Sequence, residues 1–87
     1  MNVYVVMGTT GEYSDRTEWS VAAYDDRKMA DKHADEATKF AVNAFKNAES
    51  RFELPPNPWD ENMYCDYTGT DYFVLEVPFL TALPVVD

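Results

Sequence analysis

The segment "DDRKMADKHADEATKFAVNAFKNA", residues 25–48, decides the fold of this 87-residue chain. Its alanines recur at alternating steps of four and three residues, which places six small side chains on one stripe of an α-helix. They are Ala30, Ala34, Ala37, Ala41, Ala44 and Ala48. Lysines, aspartates and an asparagine fall largely on the opposite side. The pattern therefore predicts a long amphipathic helix whose alanine stripe packs closely against a sheet.

Both ends of this helix are marked in the sequence. Asp25 and Asp26 supply an N-cap and negative charge at its start. No proline interrupts the chain from Arg27 to Leu54, and "LPPNPW", residues 54–59, then forces extended backbone before each proline. We expect the helix to begin at Arg27 and to end before this segment, which opens a loop of about fifteen residues, since prolines cannot continue a helix.

Three runs with alternating side chains predict strands. The first run, from Val3 to Gly8, and the second, from Glu18 to Tyr24, precede the helix and are most simply joined as an antiparallel hairpin. A turn at "YTGT", residues 67–70, leads to a third run from Phe73 to Val77, which Pro78 ends or marks as an edge strand. We predict a single α+β domain over residues 1–87, with β-β-α-β order and an antiparallel sheet of about three strands covered by one helix. The apolar tail "FLTALPVVD", residues 79–87, either packs on this domain or lies between chains.

The connection "GTTGEYSDR", residues 8–16, contains the glycines and hydroxyl groups found in phosphate-binding loops. It lacks the Gly-Lys-Ser/Thr ending of those loops, and it leads into a strand instead of a helix. We interpret it as a structural turn with an exposed tip, in which Gly8 and Gly11 adopt positive φ angles. No nucleotide site is expected there.

Few residues are candidates for chemistry. His33 is the only histidine, so it has no second histidine with which to share a metal, and we expect a partly exposed helix residue. Cys65 lies beside Asp66, whose carboxylate disfavours a thiolate, and we interpret it as a small apolar residue. The stretch "DENMYCD", residues 60–66, lacks the ligand spacing and the glycine of a known calcium loop. We predict no catalytic residue, no metal, no cofactor and no enzyme activity.

The composition limits the kinds of partner. With 46% hydrophobic and 15% aromatic residues, the chain is too apolar for a disordered acidic tail. Its net charge of −9 repels nucleic acid phosphates and anionic lipids and favours basic proteins. The N-terminus lacks the pattern of a signal peptide, no apolar run is long enough for a membrane span, and one cysteine makes no internal disulfide. We expect a cytoplasmic protein that binds neither nucleic acid nor membrane directly.

The negative charge is unevenly placed along the chain. Six bases match six acids from Asp25 to Arg51, whereas Arg16 alone stands against ten acids elsewhere, so the surplus lies outside the helix. Most of these acids lie in the two long connections among aromatic residues, an arrangement that suits a basic protein surface. The candidate binding residues are Glu12, Tyr13, Asp15, Glu18, Trp59, Asp60, Glu61, Tyr64 and Asp66. They form one patch if the two connections share an end of the sheet, which the strand order decides; in the alternative interpretation the rings belong to the core and the acids confer solubility.

The opening "VYVVMGTTGEYSDRTEW", residues 3–19, with the following "VAAYDD" and alanine-rich helix, resembles small bacteriophage and prophage proteins that begin with a strand and a TTGEYSDR-type turn. The resemblance covers roughly the first half of the chain and implies a β-β-α-β accessory protein, with no activity and no functional residue attached. In size and charge the chain is also similar to phage inhibitors of host defence such as anti-CRISPR proteins.

Two classes of function follow from these observations. The favoured hypothesis is a non-catalytic protein whose acidic, aromatic connections bind a basic surface of a host complex, such as one that binds nucleic acid. The alternative is a structural or assembly accessory protein that forms a homodimer through the apolar tail. A small enzyme is the third hypothesis.

Overall fold

Over the residues that the structure describes, the protein is a three-stranded antiparallel sheet with one helix on one face. In the computed structural model, which describes residues 1–12, 14, 16–47, 54–64 and 69–86, the elements are β1 (Asn2–Thr10), β2 (Thr17–Tyr24), α1 (Arg27–Asn47) and β3 (Thr70–Pro78). The strand order is β2-β1-β3, so the first strand is central and both others are edges. The predicted β-β-α-β fold is confirmed, including the antiparallel hairpin of β1 and β2.

The start of α1 is capped as the sequence predicts. The Asp26 carboxylate accepts a hydrogen bond from the backbone N–H of Lys28 at 2.8 Å, and the Asp26 carbonyl accepts one from the N–H of Ala30 at 3.2 Å. An aspartate at this position satisfies an N–H group that has no partner within the helix. The described part of α1 ends at Asn47, and the remaining predicted helical residues, 48–53, lie outside the described residues.

The alanine stripe forms one wall of the core. Its first four members are buried, namely Ala30, Ala34, Ala37 and Ala41. They form one cluster with Val6 on the central strand and Tyr72 on β3. Ala44 is only half-buried, and Ala48 lies outside the described residues. The prediction is therefore confirmed from Ala30 to Ala41, where the small side chains let the helix approach the sheet closely.

Gly8 differs from its predicted role. β1 continues through Thr10, and positive φ angles occur at Gly11 (91°) and Gly69 (88°) among the described glycines, so the prediction was right for Gly11 and wrong for Gly8. A Cβ atom at Gly8 would collide with the indole of Trp19 on β2. The glycine thus leaves room for this ring to lie across β1 and to meet Tyr72 edge-on, with ring centroids 6.4 Å apart.

A β-bulge in β2 changes which side chains share a face. Val6 pairs with Ala22 and Met7 with Ser20, so Val21 is the extra residue. Strict alternation places Trp19 and Tyr24 on opposite faces. With the bulge, both residues lie on the face that α1 covers, opposite Gly8 and Tyr4 respectively.

We expect Ala41→Leu to lower the free energy of unfolding by about 1–3 kcal/mol, because Ala41 is only 2% exposed and the added atoms would overpack the contact with the sheet. Asn43→Leu, at an exposed position of the same helix, is the control and should change stability by less than about 0.5 kcal/mol. Urea denaturation measures both values. Equal stability of the two variants would contradict this placement of the stripe.

We expect Gly8→Ala to destabilise the protein by about 1–3 kcal/mol, because the new methyl group would push the Trp19 ring away from Tyr72. The near-ultraviolet circular dichroism signal of the aromatic side chains should fall in the folded variant. Gly69→Ala is the matched control, since a Cβ there meets no atom closer than 3.9 Å and its cost comes from the positive φ alone. A Gly8→Ala variant with unchanged aromatic dichroism would contradict the proposed ring packing.

Candidate functional site

The two long connections meet at one end of the sheet, here called the connection end. Thr10, the last residue of β1, pairs with Thr17 at the start of β2 and with Thr70 at the start of β3. The chain therefore leaves β1 and enters β3 at the same end. The Thr10 hydroxyl also donates a hydrogen bond to the carbonyl of Gly69 at 2.5 Å, which joins the two connections directly. The strand order thus meets the condition under which the candidate binding residues could form one patch.

Exposed carboxylates surround the connection end. Glu18 and Asp71 both pair with Thr9, one from each side, so their side chains lie on one sheet face about 9–10 Å apart, two strand spacings. Glu12 follows β1 and is exposed as well. Two bases lie nearby: Arg16 forms an ion pair with Glu18 at 2.9 Å, and Lys46 lines a small cavity together with Asp71. The acids nevertheless outnumber the bases here among the described residues.

Two aromatic rings of the predicted site are available to a partner. Tyr64 is 58% exposed, and its carbonyl accepts a hydrogen bond from the Thr70 hydroxyl at 2.7 Å, which fixes it at the connection end. Trp59 is 38% exposed and lies farther along the same segment, beside α1. The exposed Glu61 lies close to Trp59, and both line a cavity of about 250 Å³.

Asp60 is buried, whereas a candidate binding residue is expected to be exposed. It is only 4% exposed, and its Oδ2 accepts hydrogen bonds from the Trp19 indole and the Tyr72 hydroxyl, each at 2.8 Å. Its Oδ1 accepts a third hydrogen bond from the backbone N–H of Asn62 at 3.1 Å. Of the two adjacent candidate binding residues Asp60 and Glu61, Asp60 is therefore buried and only Glu61 is exposed. Its carboxylate belongs to the core network and is not available to a partner.

Asn57 fixes the proline-rich segment, a role that we did not predict from the sequence. Asn57 is 2% exposed; its side-chain amide donates to the carbonyl of Ala37 on α1 at 3.2 Å, and its side-chain oxygen accepts the N–H of Trp59 at 2.9 Å. A backbone bridge joins Asn57 to Asp60. An asparagine between prolines is a signal for such a side-chain-bonded turn.

His33 joins three elements. Its Nε2 lies 2.6 Å from the carbonyl oxygen of Trp59, and its Nδ1 lies 2.8 Å from the hydroxyl of Tyr24. Because a carbonyl can only accept, Nε2 must donate, and Nδ1 of the neutral ring then accepts from the Tyr24 hydroxyl. The ring also meets those of Tyr24 and Trp59 edge-on. His33 is half-buried, as predicted, and it connects the helix to β2 and to the proline-rich segment.

The structure describes only part of the predicted site. Tyr13, Asp15 and Asp66 lie outside the described residues, as does Cys65. Of the remaining candidates, Glu12, Glu18 and Tyr64 lie at the connection end, Trp59 and Glu61 lie farther along the segment, and Asp60 is buried. Among the described residues, no group of three or more histidine, cysteine, aspartate or glutamate side chains is placed to hold a metal ion. The arrangement offers charged and aromatic contacts for non-covalent binding.

Comparisons of the chain with protein-family models, curated proteins and solved structures find no match. The resemblance to phage accessory proteins therefore stays a prediction. Within the described part of the chain, no helix combines the length and apolar character that crossing a membrane requires.

We expect Asp60→Lys to destabilise the fold by about 3–5 kcal/mol, because it replaces a buried acceptor of three hydrogen bonds with an uncompensated charge. Glu61→Lys, at the neighbouring exposed position, should change stability by less than about 0.5 kcal/mol. Thermal melting of the two variants measures the difference. If Asp60→Lys melts with the wild type, the carboxylate does not hold Trp19 and Tyr72.

Proposed function

We propose that this protein is a non-catalytic binding protein that presents the connection end of its sheet to a basic surface of a partner protein. The observation that carries the proposal is the strand order, because it brings the two acidic connections to one end. A cluster of like charges creates a local potential that attracts oppositely charged surfaces and speeds their association.

The rest of the described surface supports this choice of site. The helix carries both signs of charge in close pairs, including Arg27 with Asp31 at 3.8 Å and Lys39 with Asp35 at 3.6 Å. Such exposed pairs largely cancel each other at a distance. The uncancelled negative charge of the described residues therefore extends from Glu12 at the connection end to Glu61 farther along the proline-rich segment, since neither acid has an ion-pair partner within the described part of the chain.

Tyr64 and Trp59 give this acidic surface its apolar anchors. Both are partly exposed yet held by backbone hydrogen bonds, Tyr64 through Thr70 and Trp59 through His33. The Trp59 ring also meets that of His33 edge-on, and a ring that is held before binding loses little conformational freedom when a partner covers it. Aromatic residues of this kind commonly provide much of the binding energy at protein interfaces.

A finer form of the proposal names the partner as a nucleic-acid-binding complex of a bacterial host. In this form the protein acts in the host cytoplasm as an inhibitor of host defence, and it competes with nucleic acid for a basic channel. Its support is the resemblance of the first half of the chain to phage accessory proteins, together with the net charge of −9. Under this proposal, expression of the protein should raise phage plaque counts on a host whose CRISPR system is active.

A self-associating accessory protein is the second candidate function. The apolar tail is exposed at every described residue from Phe79 to Val86, so the alternative in which it packs on its own domain is wrong. An exposed apolar segment of this length favours contact with another chain.

We expect reversal of two exposed acids, Glu12→Lys with Glu61→Lys, to slow association with the basic partner about tenfold or more at low salt. Asp31→Lys with Asp35→Lys makes the same charge change on the helix surface and is the matched control. Wild type and both double variants serve as baits in a bacterial lysate, and proteins retained at low salt are identified by mass spectrometry. The association rate of each retained protein is then measured for all three baits.

The proposal requires a protein that is retained by the wild type and the helix control, lost with the connection-end variant and released by raised salt. Equal association rates for the wild type and the connection-end variant would overturn it, and so would equal losses for both double variants. Circular dichroism confirms beforehand that both variants are folded.

A further inference from the structure

The face of the sheet opposite α1, here called the outer face, is apolar over most of its length. Its side chains alternate along the strands with those that face the helix, of which Val6 is fully buried. Between Val3 and Met7 the outer face comprises the apolar residues Val3, Val5, Met7, Ala23, Phe73, Leu75 and Val77, together with the polar Ser20 opposite Met7. Leu75 is 43% exposed and Val77 is 38% exposed. Branched and aromatic side chains therefore form one continuous surface on β1 and β3, which Ala23 extends onto β2.

No described element covers this surface. The helix and the segment 54–64 both pack on the opposite face, through Ala37, Asn57 and Tyr72 among others. The tail beyond Pro78 is exposed at every described residue and so does not fold back over the sheet. Contiguous apolar surfaces of several hundred Å² on small soluble proteins mark interaction sites.

The charge pattern of the outer face suits a second copy of the chain. Each copy carries a net charge of −9, so two copies repel each other over most of their surfaces. The outer face has no described charged side chain from Val3 to Met7, and its acids, Glu18 and Asp71, lie at the connection end beside Thr9. If two faces stack with their strands antiparallel, these acidic ends lie about 20 Å apart or more, beyond a Debye length of about 8–10 Å.

The outer face alone is too small for a stable interface, which indicates that the tail belongs to the same interface. From Val3 to Thr9, three strands present roughly 300–400 Å², which is about half of the roughly 800 Å² that each partner contributes to a stable interface. The tail adds Phe79, Leu80, Leu83, Val85 and Val86, each more than half exposed. Covering side chains of this size removes about 100 Å² each from water, which brings the sum close to the required area.

The tail continues directly from the outer face. The N–H of Phe79 donates to the carbonyl of Met1 at 2.9 Å, so the ladder between β1 and β3 extends one residue beyond Pro78. The tail therefore leaves the sheet at the end opposite the connection end. With two sheets stacked antiparallel, this is the end at which the partner copy carries its two connections. The overall dimensions agree with a tail that extends away from the sheet. The radius of gyration is 15.2 Å, whereas a compact chain of this length has a radius of gyration of about 12 Å.

We propose that two copies of this chain form a symmetric dimer by stacking their outer faces, with each tail packed against the other copy. The two sheets lie at the centre and the two helices outside, and each tail extends along the other copy towards its connection end. The inference deepens the second candidate function and does not depend on the proposed binding of a basic partner.

The test is sedimentation equilibrium of the full chain at moderate salt from about 1 to about 300 µM, the range in which mass action reveals a weak dimer. The wild type should pass from its monomer mass of 10.0 kDa towards twice that mass. Leu75→Lys places a charge at the centre of the proposed interface and should raise the dissociation constant about 100-fold. Val42→Lys is the matched control, because Val42 is a similarly exposed apolar residue on the helix; it should change the constant less than about threefold.

Two further variants keep the test decisive. Ala23→Lys introduces the same charge at an exposed position of the outer face on another strand, and it replaces Leu75→Lys if circular dichroism shows that variant unfolded. Leu83→Glu lies in the tail at 92% exposure, so it cannot disturb the fold, and it should weaken the dimer about tenfold. A monomeric wild type at every concentration would overturn the proposal. A dimer that resists both outer-face variants, or that Leu83→Glu leaves unchanged, would also overturn it.

Discussion

The structure depends on one buried carboxylate. Asp60 accepts hydrogen bonds from Trp19 on β2 and Tyr72 on β3, the two edge strands, and so ties the proline-rich segment to both sides of the sheet. One helix is too narrow to cover a three-stranded sheet alone, since helices pack about 8–10 Å from their neighbours and span about two strands. The segment fills the remaining width beside β2, where Trp59 meets His33. The proline-rich segment is thus part of the layer that covers this face of the sheet.

This arrangement explains how the fold is stable with so small an apolar core. Among the described residues, Val6 is the largest apolar side chain that is fully buried, and the rest of the central cluster is four alanines and a tyrosine. Such a core removes little apolar volume from water, so it relies on close approach of backbones and on satisfied hydrogen bonds. No buried side-chain nitrogen or oxygen among the described residues lacks a hydrogen-bond partner. The hydrogen bonds around Asp60 and Asn57 therefore help to stabilise this fold, a role that bulky apolar side chains fill in larger domains.

The periodicity of the sequence predicted the helix and the three strands. The features that were not predicted depend on contacts between residues that are far apart in the sequence. The alanine spacing and the Asp26 cap identified α1, and alternation located the three strands, because both signals depend on neighbours along the chain. The bulge at Val21 was hidden because one extra residue leaves the composition of a strand unchanged. The burial of Asp60 depends on Trp19 and Tyr72, which are 41 and 12 residues away in sequence. Adjacent acids in a loop look alike in sequence, yet Glu61 faces solvent and Asp60 does not. For the candidate site, the sequence identified the acidic character of the connections, and only the strand order brought them together.

The central position of the first strand also determines when the protein can fold. Thr10 pairs with Thr70 and Asn2 with Pro78, so β1 receives its second neighbour only from β3, which follows the helix in the sequence. Contacts between such distant residues close slowly, because the intervening chain must lose its freedom before they form. During synthesis, the β1–β2 hairpin and the alanine helix leave the ribosome well before Tyr72 arrives to complete the Asp60 network. A nascent chain therefore exposes the open edge of β1 until β3 has also left the ribosome, and an unpaired strand edge of this kind is a site at which other chains can associate.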